Sequence, residues 1–441
     1  MQIDAVSRES ALTISITPDA EDPIAVDGKP KLSRRSMTAQ LPEGWSLDSI
    51  HPDLLALVAL LTVRPWIHSR LQLTWAVSAH FADTLRRTMK IEVGPVSAEV
   101  QPRNHPLRGV PGLAFSGGVD SMAAAAVMPS NTIFYFNERT NPPGSGPSLY
   151  NMRPALHACA GMAAMGRTVR RVPCNVEHVR NPLGVPVDLA NSIPAILMAD
   201  VDNLDAIGWG TIAESSYRTG SHGWIDYAKR DIFTNWCAVF DAAGLYFFNA
   251  VAGVSEVGTS TIVRSSPGGE LAQSCIRGEI GLPCTKCWKC VRKTLVDSAI
   301  IGAWPSERWL LESLPSPEPM RFLTKIPIKH ECVLTFALGR YKGSAPQLRA
   351  LKSRVRADKL DVEWLSRHYI PALDLVPHHY RIGVRASIEK YLPPMTAADE
   401  AAFRGWTMDE VENSPSFVEL AANFENLTKS AAEAHKKKAK A

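Results

Sequence analysis

Ser116-Gly117-Gly118-Val119-Asp120-Ser121 stands between a short apolar run, Leu113-Ala114-Phe115, and an alanine-rich stretch, Met122 to Met128, that Pro129 halts. The pattern predicts a buried strand, a glycine turn and a helix in immediate succession. That arrangement aims several backbone N–H groups and the positive end of a helix at one point, where an anion is favoured. Two glycines let the backbone come close to a ligand, and Ser116 and Ser121 add hydroxyl donors. Asp120 would repel a phosphate unless Mg²⁺ lay between them, and Mg²⁺ favours one carboxylate combined with phosphate oxygens. The lysine of Gly-x-x-x-x-Gly-Lys-Ser/Thr is missing, so this is a different kind of phosphate loop.

The surroundings of the loop alternate strand and helix. Strands are predicted at Gly112–Phe115, Asn131–Phe136, Thr168–Val172, Ala206–Gly210 and Leu245–Asn249. Helices fall between them at Ser121–Met128, Leu149–Met165, Leu189–Asp202 and Phe233–Ala243. Apolar strands separated by helices imply an α/β fold, here a five-stranded parallel, doubly wound sheet. Ligands in such sheets bind at the carboxyl ends of strands. The site should therefore be completed by Phe136-Asn137-Glu138 and by Gly208-Trp209-Gly210-Thr211. Residues 1–108 read as a small α+β region, 109–304 as the nucleotide domain and 305–430 as a mostly helical region; 431–441 read as a basic, disordered tail.

Cys275-x8-Cys284-x2-Cys287-x2-Cys290 is the second strong signal. Two interlocked Cys-x2-Cys pairs converge their sulfurs, and four thiolates suit a closed tetrahedral Zn²⁺ site, with iron–sulfur as the rival occupant. Arg277, Lys286, Lys289, Arg292 and Lys293 would offset the negative charge of such a centre. Outside the cluster, Cys159, Cys174 and Cys237 read as packed core. With 45% hydrophobic and 21% charged residues and a net charge of +4, nothing in the composition calls for a membrane or a nucleic acid. The longest aliphatic run, Leu54 to Leu61, is too short to cross a bilayer, so a cytoplasmic protein is expected, of unspecified oligomeric state.

The glycine loop resembles the pyrophosphate-binding loop of the ATP pyrophosphatases. Followed about 155 residues later by the cysteine pattern, it resembles the 7-cyano-7-deazaguanine synthase (QueC-like) family over about residues 109–300. That resemblance implies an adenine nucleotide alpha hydrolase-like sheet, with ATP and Mg²⁺ held by Phe115, Ser116, Gly117, Gly118, Val119, Asp120 and Ser121, assisted by Phe136, Asn137 and Gly210. Asp120 and Ser121 would be catalytic, and Cys275, Cys284, Cys287 and Cys290 would bind Zn²⁺. It also implies adenylation of a small-molecule carboxylate and displacement of AMP by a nitrogen nucleophile, giving an amide or nitrile.

Two segments depart from the family. Phe136-Asn137-Glu138-Arg139 stands where the synthases carry an Asp-Tyr-Gly-Gln type sequence, and Ala213-Glu214-Ser215-Ser216-Tyr217 replaces an acidic stretch. Asn191, Ser192 and Glu214 remain candidates for substrate contact. The departures leave room for a different acid, for tRNA thiolation with a tRNA partner, and for a protein that retains nucleotide without turnover and binds a protein partner.

Overall fold

A computed structural model describes residues 1–145 and 150–440. Its strands are β1 (Gln2–Arg8), β2 (Ala11–Thr17), β3 (Lys31–Leu32), β4 (Ser36–Gln40), β5 (Arg70–Val77), β6 (Glu92–Val96), β7 (Val110–Ala114), β8 (Ile133–Arg139), β9 (Val169–Cys174), β10 (Arg180–Asn181), β11 (Leu204–Gly208) and β12 (Tyr246–Phe248). Ten of them form one sheet in the order β12-β11-β7-β8-β9-β4-β2-β1-β5-β6, while β3 and β10 pair separately. The fold is α/β around a large mixed sheet.

This corrects the expectation of a sheet limited to five parallel strands. The five expected strands are present and pair in parallel, β12 with β11, β11 with β7, β7 with β8 and β8 with β9. The sheet does not stop there, because β4 pairs antiparallel with β9 through Ala39 and Cys174. Asn175 fastens the junction: its side chain accepts from the Thr38 backbone N–H at 2.8 Å and donates to the Thr38 hydroxyl at 2.7 Å. β2 and β1 continue the sheet antiparallel, and β5 and β6 close it in parallel.

Residues 1–108 accordingly share a core with the strands that follow. Helix Pro52–Val63 starts with proline in its first turn and is apolar on every side, a composition that demands burial all round. It packs in one cluster with Ile3, Ile14, Ile196, Ile207 and Phe240. The opposite face of the parallel strands is covered by helices Val119–Val127, Glu256–Ser265 and His378–Glu389, around Leu113, Phe134, Ile262 and Ile388. A third cluster, with Leu295, Leu334, Trp364 and Phe403, binds helix Trp288–Ile301 to the helices beyond residue 305.

Several local expectations shift. The expected helix 189–202 is a 3₁₀ turn, Asp188–Ser192, followed by the short helix Ile193–Leu197, with Pro194 in its first turn. The helix expected from Leu149 runs Arg153–Ala164, and Leu149 itself lies outside the described residues. The basic tail, expected to be disordered, extends helix Ser416–Lys440. Among the described residues, no helix is long and apolar enough to cross a membrane.

Candidate active site and metal centre

The glycine loop bridges β7 and helix Val119–Val127, as its sequence requires. Gly117 takes φ +70°, a left-handed conformation that favours glycine, and an added Cβ would press on Ala158 at 3.0 Å. Gly118 caps the helix through its backbone. Ser121 folds back into the turn: its Oγ donates to the Gly118 carbonyl at 3.0 Å and accepts the Ser116 N–H at 3.2 Å. Gly210, just beyond β11, is pressed against the helix start, where an added Cβ would stand 2.6 Å from the Asp120 carbonyl carbon. That close approach excludes any side chain at position 210 unless the loop moves.

A cavity of about 340 Å³ opens at this end of the sheet. Phe115, Ser116, Gly118, Asp120 and Ser121 line it from the loop, Phe136 and Asn137 from the end of β8, and Gly210 from beyond β11. Gly117 and Val119 shape the turn without lining the cavity. Among the described residues, the buried Asn137 carboxamide makes no hydrogen bond through either polar atom, and neither does the Trp209 indole N–H; both residues border the cavity. A buried amide without a partner costs on the order of 1–3 kcal/mol, so a ligand that satisfied it would be favoured.

Of the three candidate substrate residues, Asn191 reaches the cavity. Ser192 is buried, with its hydroxyl donating to the Leu189 carbonyl at 2.6 Å. Glu214 does not line the cavity either; both of its carboxylate oxygens accept the Glu256 backbone N–H, at 3.0 and 3.1 Å. Burial, reinforced by the Glu256 carboxylate, pushes Glu214 up to about 8, so it is largely protonated at neutral pH.

Beneath the loop lies an ionic network. Asp120 Oδ1 accepts from the Thr259 hydroxyl at 2.9 Å and from Lys293 Nζ at 3.1 Å. The same ammonium lies 3.2 Å from Glu256 Oε1, and Arg292 Nε donates to Glu256 Oε2 at 2.7 Å. Glu256 is wholly buried; burial alone would raise it, but the charges of Arg292 and Lys293 outweigh that and hold it well below the usual carboxylate range. Arg292 and Lys293 thus serve Glu256 and Asp120 rather than neutralising the cysteine cluster. Arg277 pairs with Glu318 at 2.7 Å, and Lys289 lines the cavity.

The cysteine cluster forms as expected. Its four Sγ atoms lie within 4.8 Å of one another, with Cys287 and Cys290 at 3.4 Å and Cys284 and Cys290 at 3.8 Å. Thiolates bound tetrahedrally at ~2.3 Å to a single ion stand about 3.8 Å apart, so the donor set fits one metal ion such as zinc. The cluster is also a neighbour of the loop: the Gln273 N–H donates to the Gly117 carbonyl at 2.9 Å, the Val119 N–H donates to Ser274 Oγ at 3.3 Å, and Cys275 lines the cavity. Burial raises the thiols elsewhere, Cys159 and Cys174 to about 12 and Cys237 to about 11. Cys332, the eighth cysteine, is fully buried and raised as well.

Residues 235–407 match the model of a family of unknown function, DUF6395. The match takes in Glu256, Thr259, the four clustered cysteines and Lys293, but not the glycine loop. No curated protein and no solved structure matches the chain.

Proposed function

We propose that this chain is an ATP-dependent adenylating enzyme that cleaves ATP to AMP and pyrophosphate. The observation that carries this function is the glycine loop opening onto the 340 Å³ cavity at the carboxyl end of β7, where β8 and β11 flank that strand on opposite sides. Strand order reverses at that point, the usual position of a ligand crevice in an open α/β sheet. On this view β9-β8-β7-β11-β12 is a doubly wound, adenine nucleotide alpha hydrolase-like unit extended at its β9 edge.

The residues present suit the chemistry. Loop N–H groups and the start of helix Val119–Val127 favour a pyrophosphate leaving group. Asp120, whose side chain is 34% exposed, would hold the Mg²⁺ that accompanies ATP, and that ion would supply charge neutralisation at the phosphates. A carboxylate oxygen of the second substrate attacks the α-phosphorus; the new O–P bond forms as the bond to the bridging oxygen breaks, and pyrophosphate departs. A nitrogen nucleophile then adds to the activated acyl carbon and AMP leaves, which gives an amide, or a nitrile where a second ATP adenylates the amide oxygen and that oxygen departs on AMP. Cys275, Cys284, Cys287 and Cys290 would hold Zn²⁺ in a structural role.

Thiolation of a tRNA is the weaker alternative, because it calls for a reactive sulfur near the nucleotide. Cys159, Cys174 and Cys237 are all raised by burial, and none of them lines the cavity. The deciding experiment is pyrophosphate release from ATP and Mg²⁺ with a panel of acids and ammonia, beginning with 7-carboxy-7-deazaguanine, and mass spectrometry of the products. Release that depends on one acid, with AMP as co-product, is expected. ATP binding without release across acids and cell extract would favour a nucleotide-retaining binding protein.

A further inference from the structure

Asp120 is unevenly served. Its Oδ1 takes two donors, the Thr259 hydroxyl at 2.9 Å and the Lys293 ammonium at 3.1 Å, while Oδ2 has no hydrogen-bond partner among the described residues and is not buried. Lys293 is itself nearly buried and lies between two carboxylates, Asp120 and Glu256. Arg292 already serves Glu256 at 2.7 Å. Lys293 is thus shared between the two carboxylates, and its charge reaches Asp120 and whatever binds beside it as well as Glu256. Thr259 is carried on helix Glu256–Ser265 and Lys293 on helix Trp288–Ile301, so both donors come from elements outside the glycine loop.

We infer that Lys293 is a positioning residue that makes Asp120 a ligand for a cation arriving with its nucleotide rather than for a free cation. The inference rests on the adenylating function proposed above. Thr259 and Lys293 fix Oδ1 and leave Oδ2 as the metal-facing oxygen. The ammonium repels a lone divalent cation from Oδ2, yet attracts the triphosphate that brings the same cation. Free Mg²⁺ would otherwise occupy the carboxylate and have to be displaced or matched to each incoming ATP. A lysine that served stability alone would affect both ligands in the same direction, whereas a counter-charge moves them in opposite directions.

The test uses the metal-loaded full chain and two probes applied separately: Mn²⁺ alone, followed by electron paramagnetic resonance, and sodium ATP in divalent-free buffer, followed by calorimetry. Relative to wild type, Lys293→Met should bind Mn²⁺ about 10-fold more tightly and ATP about 10-fold more weakly. Thr259→Val keeps the charge and loses one tether of Oδ1. It should weaken Mn²⁺ about 3-fold and leave ATP unchanged, and it keeps the question answerable if Lys293→Met does not fold. Lys293→Arg should restore the wild-type signs. ATP binding by wild type with both ligands shifted in one direction, or neither shifted, overturns the role of Lys293 alone. Likewise, unchanged Mn²⁺ affinity in Thr259→Val overturns the fixing of Oδ1. A wild type that binds no ATP under any condition overturns the adenylating function, and this inference with it.

Discussion

Ser274 Oγ accepts the backbone N–H of Val119 at 3.3 Å, which ties the residue before the first clustered cysteine to the first helical residue after the glycine turn. With the Gln273 N–H on the Gly117 carbonyl, this makes the segment leading into the cluster one wall of the cavity. The cysteine cluster and the glycine loop are thus mechanically continuous.

Loss of the metal should therefore reach the loop. Cys287→Ser is expected to lose about one equivalent of zinc and to melt lower by several degrees or more, since metal binding contributes directly to folding. Metal analysis and calorimetric melting check this. Zinc retained with an unchanged melting curve would rule out the cluster as a metal site.

Asp120 should behave oppositely. Asp120→Asn keeps an acceptor for Thr259 and leaves Glu256 to pair with Lys293, so melting without ATP should be nearly unchanged. Pyrophosphate release should fall at least about 100-fold, because the cation-binding charge is gone. A collapsed protein would mark Asp120 as structural instead.

Gly210→Ala tests the close approach at the end of β11. The added Cβ would meet backbone atoms of Asp120 and Ser121 at 2.6 and 2.7 Å, so the helix start must move. A cost on the order of 1–3 kcal/mol in denaturant unfolding is expected, with ATP affinity reduced about 10-fold. Wild-type values for both would show that the loop tolerates displacement.

Glu214 sets a pH dependence of stability. Its folded value near 8 lies above the ordinary 4.5, so the folded chain keeps a proton that the unfolded chain gives up. This contribution is fully present below pH ~4.5, declines as pH rises, and is lost above about 8; the total is on the order of a few kcal/mol. Urea unfolding from pH 5 to 9 should show Glu214→Gln gaining on wild type as pH rises. A constant difference would mean that Glu214 ionises normally.

Three thiols outside the cluster give a simpler check. With zinc bound, Cys159, Cys174 and Cys237 should resist iodoacetamide at pH 7.5, since thiols raised to about 11–12 contain little thiolate. Peptide mapping that finds one of them rapidly alkylated would revive a sulfur-carrying role.

The glycine loop and the cysteine cluster were legible because each is local, a few residues whose types and spacing dictate a turn or a convergence of sulfurs. The network beneath the loop was not. Thr259 and Lys293 reach Asp120 across 139 and 173 residues of chain, and no local pattern signals such a pairing. Arg292 and Lys293 looked like counter-charges for the cluster because they follow Cys290 so closely. A helical projection would have separated Arg292, which at about 100° per residue lies about 200° around the helix from Cys290 and faces away from it, but not Lys293, which falls only about 60° from Cys290. Glu214 was drawn toward substrate by its position after the fourth parallel strand, but its oxygens serve the backbone of the next helix. The ten-stranded sheet was missed for a related reason. β4 has only five residues, and its partner β9 lies more than a hundred positions away.

The antiparallel seam between β4 and β9 also bears on how this protein could be dissected. A fragment beginning near residue 109 would uncover the outer edge of β9 and strip helix Pro52–Val63 from the apolar surface around Ile196 and Ile207. Bare strand edges beside apolar patches recruit other chains. Such a fragment should self-associate, and any catalytic deficit measured on it would report insolubility before it reported chemistry.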